Sequence, residues 1–361
     1  MKVLHVVGNE IEPSNGIGRL IPEMIKMHSL HSELIKPSLL IFDNSFDSQE
    51  IEVFNFFDIK APSLFLENFD LVVFHGIYYL KYYSLYKLLK SLNIKYIVKP
   101  HSSLMKAAQN KSKLKKIIAN SFFYKKFISS AAGTIFTNED EKRNSFSWND
   151  NEYIEPNALD FNYENPTEKT VNKEEPIRFI YLSRIDFNHK GTDILLDALM
   201  LIKTKGLIDR IHLDIYGIGS DKEEAIVRSC IKSLDSPYIK FKGGVFGEQK
   251  INAFKESDVF VLTSRYEGFP MAILEALYFG IACLVTPGAN MSEILNKNDI
   301  GWLATGTPES IAEHLLEISS YTREDLTVKI LKAHEYVVDN HSWKQVTKIT
   351  EKLYNSVIEM K

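Results

Sequence analysis

The stretch SRYEGFPMAILEALYFG, residues 264–280, sets two carboxylates, Glu267 and Glu275, on either side of a Gly-Phe-Pro turn. The preceding run DVFVLTS (258–264) is apolar and β-branched and reads as a strand ending at Ser264. The pattern after it reads as a helix opening on Pro270, since proline suits a first helical turn. The first-turn N–H groups of Met271, Ala272 and Ile273 then have no intrahelical partner and can bind hydroxyls or phosphate oxygens. Pro270 donates nothing, so any contact at that position must be apolar. Glu275, one turn further in, can accept both hydroxyls of a ribose, a common use of acidic groups in nucleotide sites. A surface charge that stabilises the helix dipole would also explain Glu275. It would not explain a glutamate placed just before a Gly-Phe-Pro turn.

Binding an anion requires positive potential. LSRIDFNHKGTDILLDAL (182–199) places Arg184 at the end of a strand and Lys190-Gly191 just before a helix. Two cations flanking a short loop beside a helix N-terminus can neutralise a pyrophosphate, although two solvated surface charges would give the same pattern. NGIGR (15–19), with Gly16 and Gly18, and YGIGSDKEE (216–224), with Gly217 and Gly219, each run from a strand into a helix. Glycine lets backbone amides approach an anion there; a plain tight turn accounts for either loop equally well. Neither has the third glycine of a dinucleotide fingerprint, so NAD-dependent oxidoreduction is not supported. The chain has no Asp-x-Asp pair, and its two cysteines, Cys230 and Cys283, lack disulfide or metal-ligand spacing. No metal site is expected.

The elements that must position these groups alternate along the whole chain. Strand-like runs occur at 2–7, 34–42, 70–76, 95–100 and 133–138, then at 177–184, 211–217, 239–243, 258–264 and 281–286, with amphipathic helical patterns between them. Such alternation implies α/β architecture with parallel sheets covered on both faces. At 361 residues the chain exceeds the roughly 250–300 at which single cores stop growing. NPTEKTVNKEEP (165–176), polar and without periodicity, is the best boundary. Two consecutive Rossmann-like domains facing across a cleft are expected. Doubly wound sheets bind ligands beyond the carboxyl ends of their strands, where the residues named above lie. Hydrophobic residues make up 45% and charged residues 25%, and the net charge of −4 argues against general nucleic-acid binding. No apolar run approaches the ~18–20 residues of a membrane span, and MKVLHVVGNE reads as a buried strand and not as a signal peptide. A cytoplasmic protein is expected, at most peripheral on the cytoplasmic face of a membrane.

Taken in order, these residues resemble the family 4 retaining glycosyltransferases of the GT-B fold. The hallmark is an E-x7-E element, here Glu267-Gly-Phe-Pro followed by Glu275-Ala276 and Gly280, preceded by the Arg184 and Lys190-Gly191 pair. Weaker similarities are the N-terminal glycine loop, KPHSS with His101, YIEPNALD, YGIG and KGGV. HSWKQVTKITEKLY (341–354) is similar to the terminal helix that crosses back to the first domain. The resemblance thus implies an acceptor-binding domain over 1–160, completed by 342–361, and a nucleotide-sugar-binding domain over 161–341. The resemblance implies that Arg184 and Lys190 hold the diphosphate of a sugar nucleotide and that Glu275 binds its ribose. Glu267 and the turn Gly268, Phe269, Pro270, Met271 and Ala272 would hold sugar hydroxyls. Gly16 and Gly18 would close over the phosphates, and Gly217 and Val245 would contact the base. His101 would face the transferred sugar near its C6 side, and His101 and Glu267 are the candidate catalytic residues. The sequence departs from the family at Asn157-Ala158, where Asn-Gly is usual, and at Pro270, where glycine is common; the second change could alter sugar contacts. The implied reaction is retaining transfer of a hexosyl or N-acetylhexosaminyl group to a glycan or lipid-linked hydroxyl, in bacterial surface polysaccharide synthesis. The donor would be a UDP- or GDP-sugar, with cations and a helix N-terminus standing in for a metal. A nucleotide-sugar epimerase or hydrolase of the same fold and a non-catalytic sugar-nucleotide-binding protein are the alternatives.

From Gly76 to Asn138 the sequence contains no Asp or Glu, while lysines recur among aromatics in YYLKYYSLYKLLK and NSFFYKKFISS. A face of one charge sign, rich in aromatics, suits an anionic membrane surface or a polyprenyl-diphosphate-linked acceptor. A solvated basic helix pair is the simpler account of the same pattern.

Overall fold

The β-branched runs form strands because parallel strands covered on both faces need apolar side chains at every position. The first seven strands are β1 (Lys2–Val7), β2 (Lys36–Ile41), β3 (Glu52–Asn55), β4 (Leu71–His75), β5 (Tyr96–Lys99), β6 (Gly133–Phe136) and β7 (Glu152–Ile154). The other six are β8 (Arg178–Leu182), β9 (His212–Tyr216), β10 (Ile239–Gly243), β11 (Val259–Leu262), β12 (Ala282–Val285) and β13 (Gly301–Leu303). The computed structural model describes residues 1–8, 10–11, 16–42, 46–110, 112–160 and 175–360. Two sheets result, with orders β3-β2-β1-β4-β5-β6-β7 and β10-β9-β8-β11-β12-β13. Their strand pairs are parallel. The strands that sequence reading does not pick out, β3, β7 and β13, are short, half-buried and at sheet edges, so they lack a continuous apolar run.

The chain divides into two units: Met1–Asp160 with Ser342–Lys361, and Phe161–His341. In the first unit, alternate strand residues feed two cores. Leu4, Val6, Val72, Phe74 and Val98 pack with Tyr82, Leu85 and Phe127 on one face of the sheet. Val3, Leu71, Val73 and Ile97 pack with Leu353, Tyr354 and Val357 of the terminal helix Trp343–Glu359 on the other. Truncating one of these aromatic side chains would cost about 3–5 kcal/mol. The helical pattern at 112–130 is one helical run interrupted by a wider turn: Lys113–Ala119, a π-turn Asn120–Tyr124, and Lys125–Ser129.

Each sheet reverses its winding once. In the first unit this happens between β1 and β4, where Val7 lies beside His75. In the second it happens between β8 and β11, where Tyr181 lies beside Val261. Loops leaving such a pair diverge and leave a crevice at the carboxyl end.

Candidate active site

In the second unit the loop after β8 and the loop after β11 are locked together by a close backbone approach. Gly191 has φ +61°, and a Cβ built there would fall 2.1 Å from the carbonyl oxygen of Thr263. The Thr263 hydroxyl donates to the Gly191 carbonyl at 2.8 Å. Arg265 grips Asp193 with two hydrogen bonds of 2.7 Å, which makes it an anchor of the loop. This packing brings Lys190 onto Glu267, with Nζ 2.5 Å from Oε1. The Ser264 hydroxyl donates to the same oxygen at 2.7 Å, and His189 Nε2 lies 3.7 Å from Oε2. Asn290 donates to the Glu267 carbonyl at 2.5 Å. Glu267 is buried (6% exposed), so its carboxylate is held in one orientation at the end of β11.

Arg184 stands at the open side of this cluster. Its side chain is 60% exposed and reaches Asp186 at 3.0 Å and His189 Nδ1 at 3.1 Å. His189 stacks on Tyr266 with ring centroids 4.4 Å apart. Burial pushes the His189 pKa below its ordinary value; Glu267 opposes this, and Lys190 and Arg184 reinforce it. The imidazole is therefore neutral at pH 7, and the cations of the cluster are Arg184, paired with Asp186, and Lys190, paired with Glu267.

The helix after the turn starts one residue later than the sequence pattern suggests. Pro270 is extended (φ −72°, ψ 117°) and caps the helix Met271–Tyr278 from outside it. The Ile273 amide is not available to a ligand, because it donates to the Pro270 carbonyl at 3.0 Å. The Met271 and Ala272 amides donate to no backbone carbonyl of the described residues, as expected of a helix's first turn. Phe269 turns inward against the His341 ring, 5.2 Å between centroids, so it supports the turn from behind. The Gly268 carbonyl accepts from the Asn290 amide at 3.4 Å. Glu275 is paired with Lys250 of the helix Gly247–Lys255 at 2.5 Å.

Gly217 and Val245 both follow strands, β9 and β10, at the same carboxyl edge. A Cβ on Gly217 would meet the Ser183 carbonyl at 2.0 Å, and its N–H donates to Gly243 at 2.9 Å. The glycine is thus required by loop packing whatever binds there. Val245 is half-buried, and beside it Ile218 and Phe246 are exposed apolar side chains (52% and 71%). They offer flat, apolar contact of the kind a nucleobase stacks on.

In the first unit, Gly16 opens the helix Gly16–His31 and Gly18 is buried in its first turn. Residues 12–15 of the glycine loop lie outside the described residues. His101 follows β5 in a left-handed conformation (φ 47°), as does Ser102 (φ 65°). The Ser102 amide donates to buried Glu141 at 2.7 Å, and Glu141 also accepts from the Thr137 amide at 2.7 Å, which holds the turn in place. His101 Nε2 is 3.0 Å from His75 Nδ1. Nearby, Lys99 and Glu155 form a buried ion pair at 2.6 Å, and the Thr350 hydroxyl donates to Glu155 at 2.6 Å.

Sequence reading did not single out His189, Ser264, Asn290 and Lys250 in the second unit or His5 and His75 in the first. His189 and Ser264 adjoin residues that it did single out. Lys250 and Asn290 lie far from their partners in sequence and carry no local signal.

The cluster lies at the winding reversal of a parallel sheet, beyond the carboxyl ends of the strands, where doubly wound sheets bind their ligands. Residues 163–330, within that unit, carry a domain that matches the family model Glycosyl transferases group 1. The mannosylfructose-phosphate synthase of Agrobacterium fabrum is 27% identical over 160 residues, 43% of this chain and 32% of that protein. The amylovoran biosynthesis glycosyltransferase AmsK of Erwinia amylovora is 26% identical over 191 residues, 50% of this chain and 46% of that protein. The matches thus span a third to a half of those relatives' lengths. Among solved structures, Anabaena Alr3699/HepE in complex with UDP superposes with a TM-score of 0.71 at 15% identity, over 99% of this chain and 100% of that one. That likeness shows the GT-B fold, two Rossmann-like α/β domains.

Proposed function

We propose that this protein is a family 4 glycosyltransferase that moves a hexosyl or N-acetylhexosaminyl group from a nucleoside-diphosphate sugar to a hydroxyl of a glycan or lipid-linked acceptor. The configuration at the anomeric carbon is retained, and no metal takes part. The observation that carries this reading is the buried Glu267 carboxylate, fixed by Lys190 and Ser264 where its loop meets the loop after β8, which carries the exposed Arg184 guanidinium. The first-turn amides of Met271 and Ala272 bond to no backbone carbonyl of the described residues. Arg184 and Lys190 stabilise the charge that develops on the departing diphosphate, an electrostatic role commonly worth a few kcal/mol per donor. Glu267 and the turn amides orient the sugar hydroxyls. Glu275, poised by Lys250, accepts the ribose hydroxyls, and the base lies along Gly217, Val245, Ile218 and Phe246. Gly16 and Gly18 keep the phosphate role that the family resemblance implies, and His101 contacts the transferred sugar.

The setting is surface polysaccharide assembly, supported by the named activity of the Erwinia relative. HepE, the structural neighbour solved with UDP, supports a uridine donor. A lipid-linked acceptor is supported by the surface of the 113–129 helical run. Leu114, Ile117, Ile118 and Phe122 form one exposed stripe, with Leu114 at 78% and Phe122 at 84% exposure. Lys113, Lys115, Lys116, Lys125 and Lys126 flank it. That combination suits peripheral contact with an anionic membrane on its cytoplasmic face.

The test is calorimetric titration with UDP, GDP and their common sugar conjugates, on wild type, Arg184→Ala and Glu275→Ala. Binding of one diphosphate nucleotide, weakened at least tenfold in both variants, is expected. Absence of binding by folded wild type would overturn the donor-site reading. Sugar release without an acceptor would instead mark a hydrolase, and interconversion of the donor sugar an epimerase.

A further inference from the structure

Three adjacent strands of the first unit each contribute one histidine to a continuous row. His5 lies in β1, His75 ends β4, and His101 follows β5. His5 Nδ1 is 2.9 Å from His75 Nε2, and His75 Nδ1 is 3.0 Å from His101 Nε2. The rings run nearly parallel, with centroids 5.2 Å and 5.3 Å apart and interplanar angles of 25° and 31°. The inner two are fully buried, and only His101 is partly exposed. At the inner end, His5 Nε2 has no hydrogen-bond partner among the described residues. At the outer end, His101 Nδ1 makes no hydrogen bond with any described residue.

A neutral imidazole carries one N–H and one bare nitrogen. Three neutral rings joined by two N–H···N bonds therefore have only two proton orders. If His101 donates inward from Nε2, each ring donates to the next, and His5 is left with an N–H buried against no acceptor. If the order is reversed, His5 donates to His75 from Nδ1, His75 donates to His101 from Nδ1, and His5 is left with a bare lone pair. Buried orphan N–H groups are rarer than under-satisfied acceptors, so the second order is favoured. It ends with His101 Nε2 occupied as an acceptor and its single proton on Nδ1, the nitrogen that has no partner among the described residues.

We propose that His5 and His75 are positioning residues that fix His101 as an outward N–H donor at Nδ1, so that His101 holds a ligand oxygen, a sugar hydroxyl or a phosphate, and does not act as a base. This rests on the reading that His101 faces the transferred sugar. Ionisation of the rings does not compete with the arrangement. Burial pulls the pKa of His5 and of His101 down to about 3 and that of His75 well below its ordinary value, with the Lys99 ammonium reinforcing the shift and Glu155 opposing it at His5 and His101. The left-handed backbone at His101 and Ser102, clamped by Glu141, fixes the ring's approach to His75.

The test has a readout that does not depend on activity. In protein labelled with 15N at histidine, long-range 1H–15N spectra distinguish the Nδ1–H and Nε2–H forms, and His101→Asn identifies the His101 signal by its loss. The expected result at pH 7 is a neutral Nδ1–H form at His101, changed to a mixture of forms in His75→Phe. An Nε2–H form or an imidazolium at His101 in wild type would overturn the proposal, whether or not the protein transfers sugar. In turnover, His101→Asn, whose amide can place an N–H near the Nδ1 position, should keep at least ~10-fold more activity than His101→Ala. Equal loss in the two, with the Nδ1–H form confirmed, would sink the sugar-facing role and leave the tautomer assignment standing.

Discussion

Gly191→Ala and Gly206→Ala make a matched pair of perturbations, because the two glycines flank opposite ends of one helix, Thr192–Thr204. Both have positive φ, +61° and +69°. Alanine pays about 1–2 kcal/mol in that conformation. At Gly206 nothing lies within 4 Å of the added Cβ, so that is the whole expected cost. At Gly191 the Cβ would stand 2.1 Å from the Thr263 carbonyl oxygen, where an ordinary contact needs 3.4 Å or more. The obstacle is backbone at the end of β11, which no rotamer change can clear, so residues 189–191 must move by about an ångström. Overpacking of this kind costs a further ~1–3 kcal/mol. At roughly 2–4 °C per kcal/mol, Gly206→Ala should lower Tm by about 2–8 °C and Gly191→Ala by about 4–20 °C. The functional effect is the sharper discriminant. Displacing the loop pulls Lys190 off Glu267, and an ångström of misplacement can cost ~100-fold in turnover. Nucleotide affinity should fall at least tenfold in Gly191→Ala and stay unchanged in Gly206→Ala, read by calorimetry beside thermal unfolding. Equal Tm losses, or wild-type affinity in Gly191→Ala, would refute the claim that the backbone approach at Thr263 builds the site.

Three further outcomes are expected. His5, His28 and His101 have folded-state pKa values lowered by burial to about 3, 4 and 3, so they stay neutral when folded but bind protons when unfolded below about pH 6.5. Stability is therefore full above that pH and falls by up to ~1.4 kcal/mol per pH unit per histidine between 6.5 and 4; a Tm that stays flat from pH 7 to 5 would contradict this, and His28→Phe should lessen the slope. Glu267→Gln keeps the shape but leaves the half-buried Lys190 ammonium without its counter-charge; turnover should fall ~100-fold or more, with nucleotide affinity changed less than fivefold, and a variant of near-normal rate would remove Glu267 from the reaction. Phe122→Asp should reduce co-sedimentation with phosphatidylglycerol-rich vesicles several-fold at low salt while leaving Tm within about 2 °C, since Phe122 is 84% exposed; unchanged sedimentation would argue against the helical stripe as a membrane contact.

Strand-helix alternation was legible because covered parallel strands must be apolar throughout, and both sheets contain the expected runs. β3, β7 and β13 were hidden because edge strands are short and half-buried. At the candidate site, the sequence showed which residues follow strands but not which of them meet. Lys190 and Glu267, 77 residues apart, each suggested ligand chemistry, and the structure pairs them with each other. Glu275 likewise stands against Lys250. Such pairing depends on three-dimensional approach, which periodicity does not encode. The Ile273 amide illustrates a smaller error of the same kind. Counting free first-turn amides assumes where the helix begins, and the extended Pro270 moves that start by one residue and claims the Ile273 donor.

The two sheets follow one topological rule and apply it to different chemistry. At the β8/β11 reversal the ends of the strands are charged: Lys190 faces Glu267 and Arg184 faces Asp186, each balanced at short range. At the β1/β4 reversal the corresponding edge presents neutral rings, with the nearest full charges, Lys99 and Glu155, cancelled against each other 2.6 Å apart. Lone buried charges are costly, so the first unit can place polar atoms deep in its sheet only as hydrogen-bonded neutral groups or as a closed ion pair. A row of imidazoles meets that condition and still carries directional hydrogen bonding from the core to the rim.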